Sequence, residues 1–338
     1  MKSTRITLAS RPAGMPGPEN FRTETVELPA PEPGQALLET LDLSLDPYMR
    51  GLMSDAPSYL PPVPIGGTMV GATVSRVLES HDAAVRSGDI VLGYAGWQTH
   101  SVEPVRQLRR LDPDAAPVTT ALGVLGMPGF TAYSGLLTIG RPKPGETVVV
   151  AAATGPVGSA VGQIAKIQGA RAVGIAGGPQ KVALLRDRFG FDAAIDHRAP
   201  DFTEQLAAAT PDGIDVYFEN VGGAVFDAVL PRLNEYARIP VCGLIAGYNA
   251  TALPDGPDRL GLLMSTILRK SLTVRGFIQR EFVAEQFPAF LEQMPRWLAD
   301  GRVRYLEDVV DGFDNTVEAF SGLLVGKNLG KLVVHVAD

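Results

Sequence analysis

The stretch Ala152-Ala153-Thr154-Gly155-Pro156-Val157-Gly158 spaces small residues as a pyrophosphate-binding loop requires. An apolar run at 147–152 leads into it and a helical pattern at 158–169 leads out, so the pattern predicts strand, turn and helix. A small residue at 152 permits the tight turn, Gly155 lets the backbone approach phosphate oxygens, and Gly158 lets helix and strand pack closely. The helix start adds unbonded N–H groups and the positive end of its dipole. A second strand follows, and that order separates a dinucleotide loop from a turn that needs glycine for geometry alone.

The end of the second strand selects the dinucleotide. An NAD enzyme places an acid about 20 positions beyond the loop to hold the ribose 2′-OH. Here the chain reads Ala176-Gly177-Gly178-Pro179-Gln180-Lys181, without a carboxylate. A carboxylate would repel a 2′-phosphate, whereas Lys181 can pair with one. A helix dipole disfavours a cation in the first turn, so a lysine there points to a ligand. The expected cofactor is NADPH/NADP.

The rest of the inventory narrows the chemistry. Cys242 is the one cysteine, which excludes a disulfide within the chain and a zinc site built of thiolates. His81, His100, His197 and His335 do not pair at metal-ligand spacing, so no metal is expected. A net charge of −7 with no long basic run argues against nucleic acid as a partner. No apolar stretch reaches the roughly 18 residues that span a bilayer, and Met1–Ile6 lacks a signal-peptide core. A cytoplasmic protein with no membrane partner is expected.

At 338 residues, two domains are expected. Residues 1–120 read as short strands, for example at 35–43, 69–78 and 89–94, with prolines and glycines between them, which suggests a mainly β domain. From residue 147 onward, apolar runs at 147–152, 171–176, 193–196, 214–219, 239–245 and 272–277 alternate with helical patterns such as 180–189. That alternation predicts a parallel sheet covered on both faces, a doubly wound Rossmann-type α/β domain over 121–300. A helix at 282–300 leaves it. The tail, 301–338, supplies a strand at 304–308, a helix at 316–324 and a strand at 331–336. It is too short for its own core and is expected to return to the first domain.

These residues resemble a known family. Leu45-Asp46-Pro47-Tyr48-Met49-Arg50, Gly126-Met127-Pro128-Gly129-Phe130-Thr131-Ala132-Tyr133, residues 151–162, Glu219-Asn220-Val221-Gly222-Gly223, residues 242–249 and Gly326-Lys327-Asn328-Leu329-Gly330-Lys331 carry the likeness nearly end to end. The chain is similar to the zinc-independent medium-chain dehydrogenases/reductases of the prostaglandin/leukotriene reductase group. The resemblance implies a GroES-like catalytic domain joined to the Rossmann domain, an active site between them, and a homodimer. It implies NADPH-dependent reduction of the C=C bond of α,β-unsaturated ketones or aldehydes: curcumin-like enones, alkenals or 15-oxo-prostaglandin-like substrates.

The resemblance also assigns residues. Gly155, Pro156, Val157 and Gly158 match the pyrophosphate loop, and Lys181 the residue that meets the 2′-phosphate. His197 stands where mammalian members have tyrosine and the bacterial branch commonly has histidine. Asn220, Cys242, Gly243, Tyr248, Phe277, Ile278, Gln279 and Asn328 match further cofactor contacts. Read as residues alone, Asn220-Val221-Gly222-Gly223 equally suits a strand-end turn, and Asn328 a left-handed turn position. Cys242 suits a buried backbone contact rather than a nucleophile. Tyr48 and Tyr59 are candidate substrate contacts, with a half-buried loop tyrosine as the alternative for Tyr48.

Hydride addition to an enone collects charge on the carbonyl oxygen, and without a Lewis-acidic metal that oxygen needs a hydroxyl donor. Tyr248 is the candidate catalytic residue, sharing the enolate with the ribose 2′-OH, while solvent supplies the α-carbon proton. The alternative is a tyrosine that only positions the ribose. Two other functions stay open: an NADPH-dependent quinone oxidoreductase, and a non-catalytic NADPH-binding protein.

Overall fold

The computed structural model describes residues 1–253 and 256–338. The strands of the first stretch are β1 (Lys2–Leu8), β2 (Phe21–Glu27), β3 (Gln35–Ser44), β4 (Thr73–Ser80), β5 (Ile90–Gly93), β6 (His100–Pro104) and β7 (Arg109–Arg110), with the short helix α1 (Tyr48–Leu52) after β3. Next come α2 (Met127–Ser134), β8 (Thr147–Ala151), α3 (Pro156–Ile167), β9 (Arg171–Ala176), α4 (Pro179–Asp187), β10 (Ala193–Asp196) and α5 (Phe202–Ala209). The series continues with β11 (Ile214–Phe218), α6 (Gly223–Val229), β12 (Leu233–Val241), α7 (Leu260–Lys270), β13 (Thr273–Gly276) and α8 (Val283–Ala299). The tail carries β14 (Glu307–Asp311), α9 (Thr316–Leu324) and β15 (Lys331–His335).

The chain divides into two compact units: Met1–Gly123 with Glu307–Asp338, and Val124–Leu306. The second unit holds a parallel sheet in the order β10-β9-β8-β11-β12-β13. β8 explains its layers. All its residues are buried; Val148 and Val150 enter one apolar cluster with α2, α3 and α8, while Val149 and Ala151 enter another with Leu206, Val225 and Val229 of α5 and α6. Successive side chains of a strand point to opposite faces, so a run apolar at every position needs cover on both sides. Aromatic rings fasten α8 to α2: Phe130 meets Phe287 and Phe290 at 5.1 and 5.4 Å, and Tyr133 meets Trp297 at 6.0 Å.

The first unit is a mainly antiparallel sheet, β14-β15-β3-β4-β5-β7 with β6 also on β3, beside the β1–β2 pair. The tail is integral to it: Phe320, Leu332 and Val334 share a core with Ile6, Leu43 and Trp97. Lys331 is buried there and pairs with Asp46 at 3.0 Å while also donating to the Leu45 and Leu332 carbonyls.

Three strands depart from the expected spans for identifiable reasons. β4 starts at Thr73, because the Met69 and Gly71 carbonyls bond the Trp97 and Gly96 amides outside the ladder. β12 spans Leu233–Val241 and stops short of Cys242, because the Glu219 carbonyl captures the Cys242 and Gly243 amides. β14 starts at Glu307, because Gln163 of α3 holds both the N–H and the C=O of Arg304.

Candidate active site

The phosphate loop follows from its residue sizes. β8 ends at Ala151, and Ala152 turns the chain at φ 51°, a left-handed conformation. Gly155 is the N-cap of α3 and Pro156 its first residue, two positions earlier than the pattern predicted. A Cβ on Gly158 would lie 2.5 Å from the Ala152 carbonyl oxygen and 2.7 Å from the Ala153 Cα, so only glycine fits there. Gly155 is less crowded, with that same oxygen at 3.3 Å. The result is a bare backbone cradle under the first turn of α3, whose amides have no acceptor within the helix. It fits a dinucleotide pyrophosphate.

The neighbouring strands end beside this loop. After β9, Gly178 adopts φ 96° and caps α4, whose first turn carries Lys181. After β10, the Asp196 carboxylate accepts the Gly178 and Arg198 amides, each at 2.9 Å. Burial raises the Asp196 pKa, but these amides and the nearby His197 and Arg198 outweigh it and hold the carboxyl below its usual range. His197 is held below the usual imidazole range by burial, then by Arg198 and Lys181, against the opposing pull of Asp196.

On the other side of β8, the turn from β11 into α6 is tightly stitched. The Asn220 side chain donates to the Ala151 carbonyl at 2.8 Å. The Glu219 carboxylate accepts the Val221 and Gly222 amides at 2.6 and 2.8 Å and the Tyr217 hydroxyl at 3.1 Å. The loop after β12 is tied to that turn, Ile245 N–H to the Asn220 carbonyl and Ala246 N–H to that of Val221. This loop presents Tyr248. Burial pushes its hydroxyl pKa up, the Leu244 backbone hydrogen bond lowers it, and Cys242 adds to the rise. A phenol so placed stays protonated at neutral pH and has a hydrogen available to donate. The Cys242 thiol is pushed up to about 12 by burial and the Glu219 carboxylate, which keeps it protonated and poorly nucleophilic.

Beyond β13, Phe277 turns its ring into the core against Phe218 and Phe282. Ile278 donates its amide to Glu281 at 2.7 Å. The candidates Gly155–Gly158, Lys181, His197, Asn220, Cys242, Gly243, Tyr248 and Phe277–Gln279 thus all lie in the second unit, at the carboxyl ends of its parallel strands. Ligands of open α/β sheets bind at that edge.

Tyr48, Tyr59 and Asn328 belong to the first unit. Tyr48 begins α1 and is half-buried; burial and then Asp46, Tyr94 and Tyr59 push its hydroxyl pKa up. Tyr59 is exposed. The Asn328 amide bonds the Gly330 carbonyl at 2.7 Å and shapes the turn into β15. Two residues at the strand ends, Glu219 and Arg198, were not among the expected site residues. Glu219 opens the stretch Glu219-Asn220-Val221-Gly222-Gly223, and an acid at the end of an apolar strand is the signal that marks it. Arg198 had none, because its proximity to Gly177 crosses between strands.

Among the described residues, no group of three or more His, Cys, Asp and Glu side chains could hold a metal ion. Residues 4–111 match a family described as the N-terminal domain of oxidoreductase, and residues 156–296 one described as zinc-binding dehydrogenase. The chain is 56% identical over 336 residues to the NADPH-dependent curcumin reductase of Escherichia coli (strain K12), covering 99% of this chain and 97% of the relative. It is 42% identical over 332 residues to prostaglandin reductase 1 of Sus scrofa, covering 97% of each. The crystal structure of CurA in complex with NADPH from Vibrio vulnificus superimposes with a TM-score of 0.96 at 52% identity, covering 99% of both chains.

Proposed function

The chain belongs to the medium-chain dehydrogenase/reductase family, in the zinc-independent group that includes the curcumin and prostaglandin reductases, and from that premise we propose how its residues carry out NADPH-dependent reduction of an enone C=C bond. The observation that carries the assignment of roles is the tyrosine loop 242–248, stitched by Glu219 and Asn220 to the strand end beside the phosphate cradle. When bound, the cofactor supplies a hydride to the β-carbon of an α,β-unsaturated ketone or aldehyde.

The protein's part is to bind, orient and stabilise charge. The Gly155–Gly158 backbone holds the pyrophosphate, and Lys181 and His197 the 2′-phosphate. Asn220, Cys242, Gly243 and Phe277–Gln279 line the nicotinamide end, largely through backbone, and Asn328 is a further cofactor contact of this proposal. Tyr248 donates its hydroxyl hydrogen to the substrate oxygen as enolate charge develops there, which no thiol at Cys242 and no metal is needed to do. Solvent protonates the α-carbon. Tyr48 and Tyr59 contact the substrate.

An enone panel with NADPH tests this, with loss of nicotinamide absorbance followed and the reduced bond located in the product. Saturation of the C=C bond with the carbonyl intact is the expected result. Turnover of quinones alone would instead assign a quinone oxidoreductase, and no turnover a binding protein.

A homodimer is part of the same proposal. β13 is an edge strand of the six-stranded sheet and is exposed throughout. Beside it, α7 exposes Leu260, Leu262, Met264 and Leu268, the last at 81%. An unpaired edge next to an apolar helix face suits pairing with a second copy, which light scattering tests. A single cysteine is in keeping with a cytoplasmic location.

A further inference from the structure

The ends of β9 and β10 bring cationic side chains over one glycine. A Cβ on Gly177 would lie 2.8 Å from Arg198 Nε and 2.8 Å from His197 Nε2. Both side chains therefore fold back over the Gly177 backbone while remaining exposed to solvent, and Lys181 lies near enough to act electrostatically on His197. The arrangement is braced from below: His197 N–H donates to the Ala176 carbonyl at 3.0 Å. Asp196, the carboxylate in the cluster, is engaged by the Gly178 and Arg198 amides at 2.9 Å. A glycine at 177 leaves open the space in which the side chains of Arg198 and His197 meet.

We infer that Arg198 closes on the 2′-phosphate of NADPH together with Lys181 and His197, and that it sets the preference for NADPH over NADH. The inference rests on the NADPH reading above and adds to it the residue that discriminates. A guanidinium offers a planar fork of donors that matches phosphate oxygens, which an ammonium does not. Nothing in NADH would meet it.

Proton-linked binding follows. The groups facing His197 are Arg198 and Lys181, which disfavour its charged form, and Asp196, which favours it; burial and the two cations prevail. A dianionic phosphate placed among them reverses that balance. NADPH binding then draws a proton onto His197, and NADPH affinity rises as pH falls through neutrality. The rise ends near about pH 6, where a phosphate monoester takes its own second proton. NADH affinity stays flat over the same interval.

The test is a fluorescence titration of wild type, Arg198→Gln and His197→Gln with NADPH and with NADH, at about pH 6.5 and 8.5 around the phosphate and imidazole ranges. Calorimetry in two buffers of different ionisation enthalpy counts the protons taken up. Arg198→Gln should weaken NADPH by roughly tenfold or more, the loss of a charge-assisted bond, with NADH unchanged; retained NADH binding also reports an intact fold. His197→Gln should abolish both the pH dependence and the proton uptake. If wild type prefers NADPH and Arg198→Gln keeps the same preference, the role of Arg198 is overturned. If proton uptake persists in His197→Gln, the proton linkage is overturned. If wild type binds both cofactors equally, the NADPH reading itself falls and this inference with it.

Discussion

The hydroxyl of Tyr248 lies 3.2 Å from the position a Cβ on Gly243 would occupy. Gly243 is fixed in turn, its amide bonded to the Glu219 carbonyl at 3.2 Å. The absence of a side chain at 243 therefore sets where the phenol can rest. Gly243→Ala should displace the hydroxyl by a few tenths of an ångström and lower kcat, with NADPH Kd little changed. Steady-state kinetics beside a cofactor titration checks it, and an unaltered kcat would detach Gly243 from the chemistry.

Tyr248→Phe removes the donor and keeps the ring. The loss of one preformed donor to an oxyanion costs about 10²-fold in kcat, and NADPH affinity should barely move. A variant that loses NADPH affinity while keeping kcat would make Tyr248 a positioning residue for the ribose.

Lys181→Ala should weaken NADPH about tenfold, as expected for a charge-assisted bond, and leave NADH almost untouched. Equal losses for both cofactors would remove Lys181 from the 2′-phosphate site.

The buried pair Lys331–Asp46 predicts a stability effect. Burial lowers the Lys331 pKa, and Asp46 opposes it. Removing one partner of such a pair costs about 3–5 kcal/mol, because the other charge is left buried alone, whereas an apolar pair of similar volume restores most of it. Urea unfolding of Asp46→Ala should show the loss, and Asp46→Leu with Lys331→Met should recover much of it.

His335 predicts a pH dependence of stability. Its hydrogen bond to Asp42 at 3.2 Å raises its pKa, burial opposes, and Asp338 adds to the rise. Asp42 is itself raised by burial despite His335, so the sign is read at the imidazole. A raised folded-state pKa contributes stability that is full below about 6.5, the ordinary imidazole value, and is lost as pH rises through the raised value. Melting temperatures should therefore fall from pH 6 to about pH 8.5, and the fall should shrink in His335→Asn. An equal fall in the variant would assign it to other groups.

The parallel sheet was legible because its strands are covered on both faces. Residues 148–152 and 172–176 must then be small or apolar at every position, and the loop between β8 and α3 must be small because backbones touch at Gly158. Helix α7 was expected from the alternation of strands and helices but without bounds of its own: its apolar residues Leu262, Met264 and Leu268 are exposed in the isolated chain, so they report no packing within it. β14 moved because a side chain from α3, Gln163, holds Arg304, a contact 141 residues away in sequence that no local pattern can encode.

The sequence alone determined the phosphate loop, the missing acid at 177–178 and the lone cysteine. Each is a statement about residue size, charge or count, and each constrains chemistry without reference to distant parts of the chain. Tertiary structure decided what surrounds them. Only the adjacency of β9 and β10 brings Arg198 over Gly177, and only the pairing of β12 with β11 brings the Cys242 and Gly243 amides onto the Glu219 carbonyl. Parallel strands meet across crossover helices, so the residues at their ends become neighbours through the order of the sheet, which sequence spacing does not reveal.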